Sequence, residues 1–359
     1  MANLTPPTKS KSPGRLFRSW RLWLAVFGAI VVIAFPVIAP SDYILRVIIW
    51  VIIDIPLVLS QNLITGFTGL LTLGQAAFYG IGAYTSALLV MRLGVPWPFA
   101  LLAAGLVAGV FGILLSIPCL RVGSDYLTLM TIAFGEIFYI VALNWMQLTR
   151  GPLGIPGVPP PQIGPFVFSD PKAIYFLYLC ITSICYLFMH RLTHSHVGRA
   201  LIAIRDNETA AAAMGINVRN YKMLAFACGT MWAGISGSML AHFLNFVGPQ
   251  TFTLNESILH MQMAILGGLG SLPGSILGAL ILVSLPQLFQ PIYQYQLLIN
   301  GLLMIILLTW RPQGILGKSS VAKATRKNFL HLVFGGQDWK SKGKKSALPQ
   351  DSENLDVKR

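Results

Sequence analysis

The chain has 359 residues, 55% of them hydrophobic and 11% charged. Soluble domains carry about 25% charged residues, so the composition excludes an ordinary soluble domain and points to an all-α polytopic membrane protein. The net charge of +14 arises from 26 basic against 12 acidic residues; its placement along the chain, described below, is that of membrane topology and gives no sign of nucleic-acid binding.

Residues 1–21 are polar, basic and proline-containing and read as a cytoplasmic arm. Apolar runs follow at 22–39, 44–62, 75–92, 97–118, 126–147, 173–190, 223–246, 255–270, 274–290 and 292–310. Runs of about 18 residues or more suffice to cross a hydrocarbon core of about 30 Å. The first follows a basic stretch as a secretory leader would. It is long, however, and Pro40 follows it instead of a small-residue cleavage site, so it reads as an uncleaved span. The run 255–270 is the shortest and ends in Gly-Gly-Leu-Gly, which also suits a re-entrant segment. Residues 149–171 are too rich in Pro and Gly for a regular helix and form the longest external loop. The membrane block thus covers 22–317, with a Lys-rich tail over 318–359 that reads as cytoplasmic, disordered and held near anionic lipid.

The basic residues divide unevenly. Five precede Leu22, five lie in the loop 191–222, eleven run from Arg311 onward, and Arg121 lies in a loop on the same side. Only Arg46, Arg92, Arg150 and Lys172 fall on the other. Cytoplasmic loops carry such an excess, which predicts about ten spans with both termini in the cytoplasm of an inner-membrane protein.

The loop 191–222 is the one long polar interruption of the membrane block. It holds Arg191, Arg199, Arg205, Arg219 and Lys222 against Asp206 and Glu208. Strong helix formers from Ala200 to Met214, followed by Gly215, predict a short charged helix ending there. Its charges would lose hydration in lipid, so it lies on the water side, where another protein can read it.

Few ionisable residues fall within the spans. Asp54 and Glu136 are mid-span, and Glu256 and His260 lie one helical turn apart near the start of the eighth, where an interfacial position also suits them. Intramembrane carboxylates are expensive and by default face a bundle interior or an aqueous path; pairing between helices for assembly is the other reading. His190, His194 and His196 have no zinc-site companions and suit headgroup contact better than a metal. Cys119, Cys180, Cys185 and Cys228 lie in or beside apolar runs without a C-x-x-C pair and read as buried, inert thiols. No catalytic constellation is present. Gly317-Lys318-Ser319 has the end of a phosphate-binding loop, but the glycine this loop needs at 312 is Pro312. Any ATP-driven action must therefore use an ATPase on another chain, with no cofactor in this one.

Two Gly-rich breaks look alike: Gly69 to Gly74, and Gly268-Leu269-Gly270-Ser271-Leu272-Pro273. Paired interruptions mark internal duplication with a pathway nearby, or helices that simply pack closely.

Several motifs converge in order: Gly66-Phe67-Thr68-Gly69-Leu70-Leu71-Thr72-Leu73-Gly74, Phe78-Tyr79-Gly80-Ile81-Gly82-Ala83-Tyr84, Thr131-Ile132-Ala133-Phe134-Gly135-Glu136, Gly198-Arg199-Ala200-Leu201, Ala203-Ile204-Arg205-Asp206-Asn207-Glu208, and Trp310-Arg311-Pro312-Gln313-Gly314. Together they resemble the permease subunits of ATP-binding-cassette importers for branched-chain amino acids, in particular the second of the two related permeases. The resemblance implies a similar permease as partner, two cytoplasmic ATPases and a periplasmic substrate-binding protein. It implies an ATPase-coupling role for Arg199, Arg205, Asp206, Glu208, Ala211 and Gly215; the cost of intramembrane charge and the two Gly-rich breaks make Asp54, Glu136, Gly69, Gly74, Gly268 and Gly270 the pathway or intramembrane candidates. Urea or short amides are alternative substrates, and an ion-coupled secondary transporter using Glu136 or Asp54 is the competing class. Where the family often has T-G-G-P-N-G, this chain has Thr149-Arg150-Gly151-Pro152-Leu153-Gly154, and the family's frequent arginine before the fifth span is Gly123.

Overall fold

A computed structural model describes residues 35–36, 41–122, 124–288, 296–311 and 313–317. The basic arm, the first span apart from Phe35 and Pro36, Gly123 and the tail 318–359 lie outside the described residues.

Helix α1 (Asp42–Asn62) opens on Ser41, whose hydroxyl accepts the Ile44 amide at 3.4 Å, and continues into a π-helical turn over Leu63–Phe67. Its internal Pro56 cannot donate to the Ile52 carbonyl. Thr182 from a neighbouring helix donates to that carbonyl at 3.0 Å instead, and Ser236 donates to the carbonyl of Ile53. This is how a proline is accommodated inside a membrane helix.

After the first Gly-rich break come α2 (Gln75–Leu93), α3 (Trp97–Val122) and α4 (Ser124–Asn144), then a single turn over Met146–Thr149. The Pro/Gly-rich loop that follows holds β1 (Ile155–Pro156) and the small hairpin of β2 (Gln162–Ile163) with β3 (Phe166–Val167). Helix α5 (Pro171–His194) starts at Asp170 with Pro171 in its first turn. Two short helices follow, α6 (His196–Asp206) and α7 (Glu208–Ala213), and then α8 (Val218–Leu244). β4 (Phe246–Val247) pairs antiparallel with β1, Ile155 opposite Val247. The chain ends in α9 (Leu254–Gly267), α10 (Leu272–Leu288) and α11 (Gln296–Trp310).

Among the described residues, six segments are long and apolar enough to cross a membrane: 42–67, 75–93, 97–119, 126–144, 171–194 and 218–244. The chain is therefore all-α and multi-pass. The expected span 255–270 is only 14 helical residues in α9, about 21 Å at 1.5 Å per residue. The last two expected spans appear as α10 and α11, of 17 and 15 residues.

Helices α1 and α8 form the centre of the bundle, with 67% and 72% of their spanning windows buried, whereas α4 is only 17% buried. Close approach explains α8. A Cβ on Gly82 of α2 would lie 2.1 Å from the Gly234 carbonyl oxygen, and one on Gly112 of α3 would lie 2.0 Å from the Thr230 hydroxyl. Lipid tails are as apolar as leucine, so such glycine faces, through van der Waals contact, are what join helices in a bilayer. The opposite, loop-bearing end is stitched by polar groups that the hydropathy pattern does not reveal. His242 donates from Nδ1 to the Pro159 carbonyl (2.7 Å) and accepts at Nε2 from Ser86 (2.9 Å), while Ser238 donates to Ser86 (2.7 Å). A carbonyl only accepts, so this fixes the imidazole tautomer.

Candidate functional site

The two Gly-rich breaks meet. Ser60, Gln61 and Asn62 close α1 as three consecutive polar residues, all fully buried. Asn62 donates to the Ser271 carbonyl at 3.0 Å and to the Ser275 hydroxyl at 2.6 Å, and accepts the Gly270 amide at 2.8 Å. Gln61 donates across the first break to the Thr72 carbonyl at 2.9 Å. The break is tied to α4 by Thr131, whose hydroxyl accepts the Leu73 amide at 3.1 Å, and a Cβ on Gly74 would lie 2.4 Å from the Thr131 carbonyl oxygen. The second break, with Gly268 at φ +113° and Gly270 at φ +77°, receives the segment after α11: the amides of Ile315 and Leu316 donate to the Leu266 and Gly267 carbonyls at 2.9 and 3.0 Å. Nothing in the run Ser-Gln-Asn suggested a site beyond its polarity at the end of an apolar run; that polarity was the available signal.

The charged segment sits against the first break. It is two helices, not the single one expected, because Asn207 is extended (φ −159°) and its side chain caps α7 by accepting the Ala210 amide at 3.0 Å. Gly215 ends the segment at φ +83°. Arg205 turns inward: its side chain is 13% exposed, Nη1 donates to the Gly66 carbonyl at 2.9 Å, and Nε and Nη2 hold Asp206 at 3.1 and 2.9 Å. Its stem fills the space beside Gly69, where φ is +77° and a Cβ would lie 2.9 Å from Arg205 Cγ. Glu208 pairs with the buried Lys222 at 2.6 Å. Arg199, exposed, donates to His196 Nδ1 at 2.8 Å.

Ala211 is buried, on the side of α7 turned toward the helix bundle. The exposed apolar group of this segment is instead Met214, 83% exposed beside exposed Ala212 and Ala213. His190 and His194 stack with ring centroids 4.2 Å apart, and among the described residues no three His, Cys, Asp or Glu groups could hold a metal. Cys119 and Cys185 are buried as expected, whereas Cys180 is exposed on α5.

Mid-bundle, a cavity of about 100 Å³ is lined by the polar side chains of Asp54, Tyr79, Thr251, Glu256, His260 and Gln287 together with Trp50, three leucines and a valine. Asp54 Oδ1 lies 3.8 Å from His260 Nε2, and both residues are buried. Glu136 lies elsewhere: it is exposed on α4, away from this cavity.

Long apolar helices joined through glycine faces, with polar groups buried at mid-depth and a charged helix pair braced on one end, define a multi-pass membrane protein of the permease class. Residues 43–308 match the family model described as "Branched-chain amino acid transport system / permease component", and the chain belongs to that family. It is similar to the high-affinity branched-chain amino acid transport system permease protein LivM of Escherichia coli (37% identical over 281 residues, 72% of this chain and 66% of LivM). It is also similar to LivH of Salmonella typhimurium (25% over 284 residues, 74% and 91%) and to a probable LivM of Methanocaldococcus jannaschii (23% over 345 residues, 82% and 99%). The match to the Escherichia coli protein thus spans just under two thirds of its length. No solved structure matches.

Proposed function

We propose that this chain is the membrane-spanning permease subunit of an ATP-binding-cassette importer for branched-chain or other neutral amino acids in the inner membrane. It pairs with a second, similar permease. Two cytoplasmic ATPases complete the assembly, one of them docking on the α6–α7 segment of this chain, and a periplasmic binding protein delivers substrate to the opposite end. The chain crosses about ten times with both termini in the cytoplasm, as its distribution of basic residues favours.

One observation carries the proposal: Arg205 braces the α6–α7 pair directly on the Gly66–Gly69 break. A load applied to the exposed Ala212–Met214 patch is thereby delivered to the start of α2 and, through Asn62, to the second break. ATP binding closes the ATPase pair, the segment moves, and exposure of the pathway between the permeases switches. Selectivity rests with the binding protein, because passage itself needs only a weak site. The names of the relatives support amino acids over urea or amides.

Mild solubilisation of the tagged chain from its native membrane tests this. Two P-loop proteins and a second permease are expected to copurify. Recovery of the chain alone, with ion-driven uptake after reconstitution, would replace the importer by a secondary transporter.

A further inference from the structure

The cavity between α1, α2, α8, α9 and α10 has a composition that asks for a particular ligand. Its polar side offers two carboxyl groups, Asp54 and Glu256, with the Tyr79 hydroxyl and the His260 imidazole. No Lys or Arg lines it. Asp54 is 4% exposed and its ion-pair partner, His260, is 3.8 Å away, longer than a hydrogen bond. A carboxylate held away from water costs several kcal/mol, at order of magnitude, unless a cation and hydrogen bonds satisfy it.

Two further polar atoms stand without a hydrogen bond: the Tyr79 hydroxyl and His260 Nδ1, both almost wholly buried and both on lining residues. The Ser236 hydroxyl near Tyr79 donates elsewhere, to the Ile53 carbonyl. Buried polar groups are nearly always satisfied, and an unsatisfied set calls for an occupant. Leu240, Leu259, Leu282 and Val283 supply the apolar lining, and Trp50, Thr251 and Gln287 complete it.

We propose that this cavity binds a primary ammonium group carried on a short branched alkyl chain, namely the α-ammonium end of a branched-chain amino acid. An ammonium has three donors and no acceptor; Asp54, Glu256 and the Tyr79 oxygen supply three acceptors. Aromatic faces favour the same charge. The leucine and valine wall receives the alkyl part. About 100 Å³ exceeds three times the liquid volume of one water, about 30 Å³, which suits the amine-bearing half of such a molecule. The inference rests on the importer reading for the identity of the ligand, while the pocket chemistry stands on the lining residues alone.

The test uses the copurified complex in nanodiscs, without binding protein. Radiolabelled L-valine binding is competed by isobutylamine, which is valine without its carboxylate, and by isovalerate, which is valine without its amine. Isobutylamine is expected to displace valine at concentrations at least about tenfold lower than isovalerate, a difference of about 1.4 kcal/mol. Asp54→Asn is expected to weaken valine binding at least about tenfold. Val283→Phe, which fills the apolar side without touching a charge, is expected to weaken it as well. Complex yield and elution volume check the fold of each variant.

Equal displacement by isovalerate, displacement by sodium chloride but not by choline chloride, absence of binding to the unaltered complex, or wild-type binding by both variants would each overturn the proposal. Its failure is separable from failure of the importer reading. If the unaltered complex imports valine and Asp54→Asn imports it with the same KM, the pocket assignment falls and the importer stands. If isobutylamine binds as expected while proteoliposomes import no amino acid, the importer falls and the ammonium pocket stands.

Discussion

Arg150 and Asn245 are the non-glycine residues with left-handed backbones among the described residues, at φ +60° and +55°. Asparagine tolerates that region because its short side chain bonds locally, and Asn245 does so, donating to the Val158 carbonyl at 2.7 Å. Arginine has no such compensation. The resemblance places a glycine at this position, and the backbone supplies the reason. Arg150→Gly is therefore expected to raise stability by about 1 kcal/mol, the usual penalty of a left-handed L residue, read as a higher Tm in nanodiscs; an unchanged or lower Tm would mean that the arginine side chain contributes more than the strain removes. Asn62 is the converse case. Asn62→Ala strands the buried Gly270 amide, whereas the Ser271 carbonyl and the Ser275 hydroxyl keep their bond to each other at 3.3 Å. A loss of about 1–3 kcal/mol is expected for that one unsatisfied buried group, and a melting curve matching wild type would show that the breaks are held by packing alone.

Helix α4 poses its question as an element. Ala133, Glu136, Ile137 and Ile140 are exposed on one side, while Thr131 and Ala142 face the bundle. A carboxylate near the middle of a membrane helix does not face acyl chains; it faces protein or water. This side of α4 is thus expected to be covered by the second permease or to line the path between the two. Cys180, exposed on α5, a helix without a carboxylate, provides the comparison position. With the other native cysteines replaced, a fluorophore on Cys180 should be quenched by brominated lipid in the complex, and one on Ile137→Cys, in a chain lacking Cys180, should not; equal quenching would place α4 at the lipid boundary. Hydropathy could not have told these helices apart. It recovered 44–62, 75–92, 97–118 and 173–190 to within a few residues, because crossing a bilayer imposes a length and an apolar composition. Lipid-facing and protein-facing sides are equally apolar, so hydropathy does not show which side of α4 carries Glu136. The division of the charged segment at Asn207 was missed for a local reason: its side-chain cap competes with continued helix, and helix propensity summed over Ala200 to Met214 outweighs one such residue.

Across the whole molecule, the contacts form a continuous path from the exposed end of α7 to both breaks: Arg205 to Gly66, Asn62 to Gly270, and Leu266 and Gly267 to the segment after α11. The sequence showed the members of this path, since the repeated glycines and the basic loop stand out. It did not show that they touch, because the partners are 139 and 208 residues apart in the chain. Contiguity by itself is not coupling, and a coupled element must be shown to bias function. Arg205 allows the distinction. Its planar fork serves the Gly66 carbonyl and Asp206 together, a geometry that the single ammonium of lysine does not reproduce. If the brace transmits motion, Arg205→Ala should leave assembly and ATP hydrolysis within about twofold of wild type while amino-acid uptake falls at least about tenfold, a loss equivalent to about 1.4 kcal/mol or more of coupling. Arg205→Lys should fall between the two. Met214→Glu, on the exposed patch, should weaken ATPase docking instead and lower hydrolysis and uptake together. A proportional loss of both activities in Arg205→Ala would make the arginine a docking residue like Met214, and unchanged uptake would remove the brace from the transport cycle.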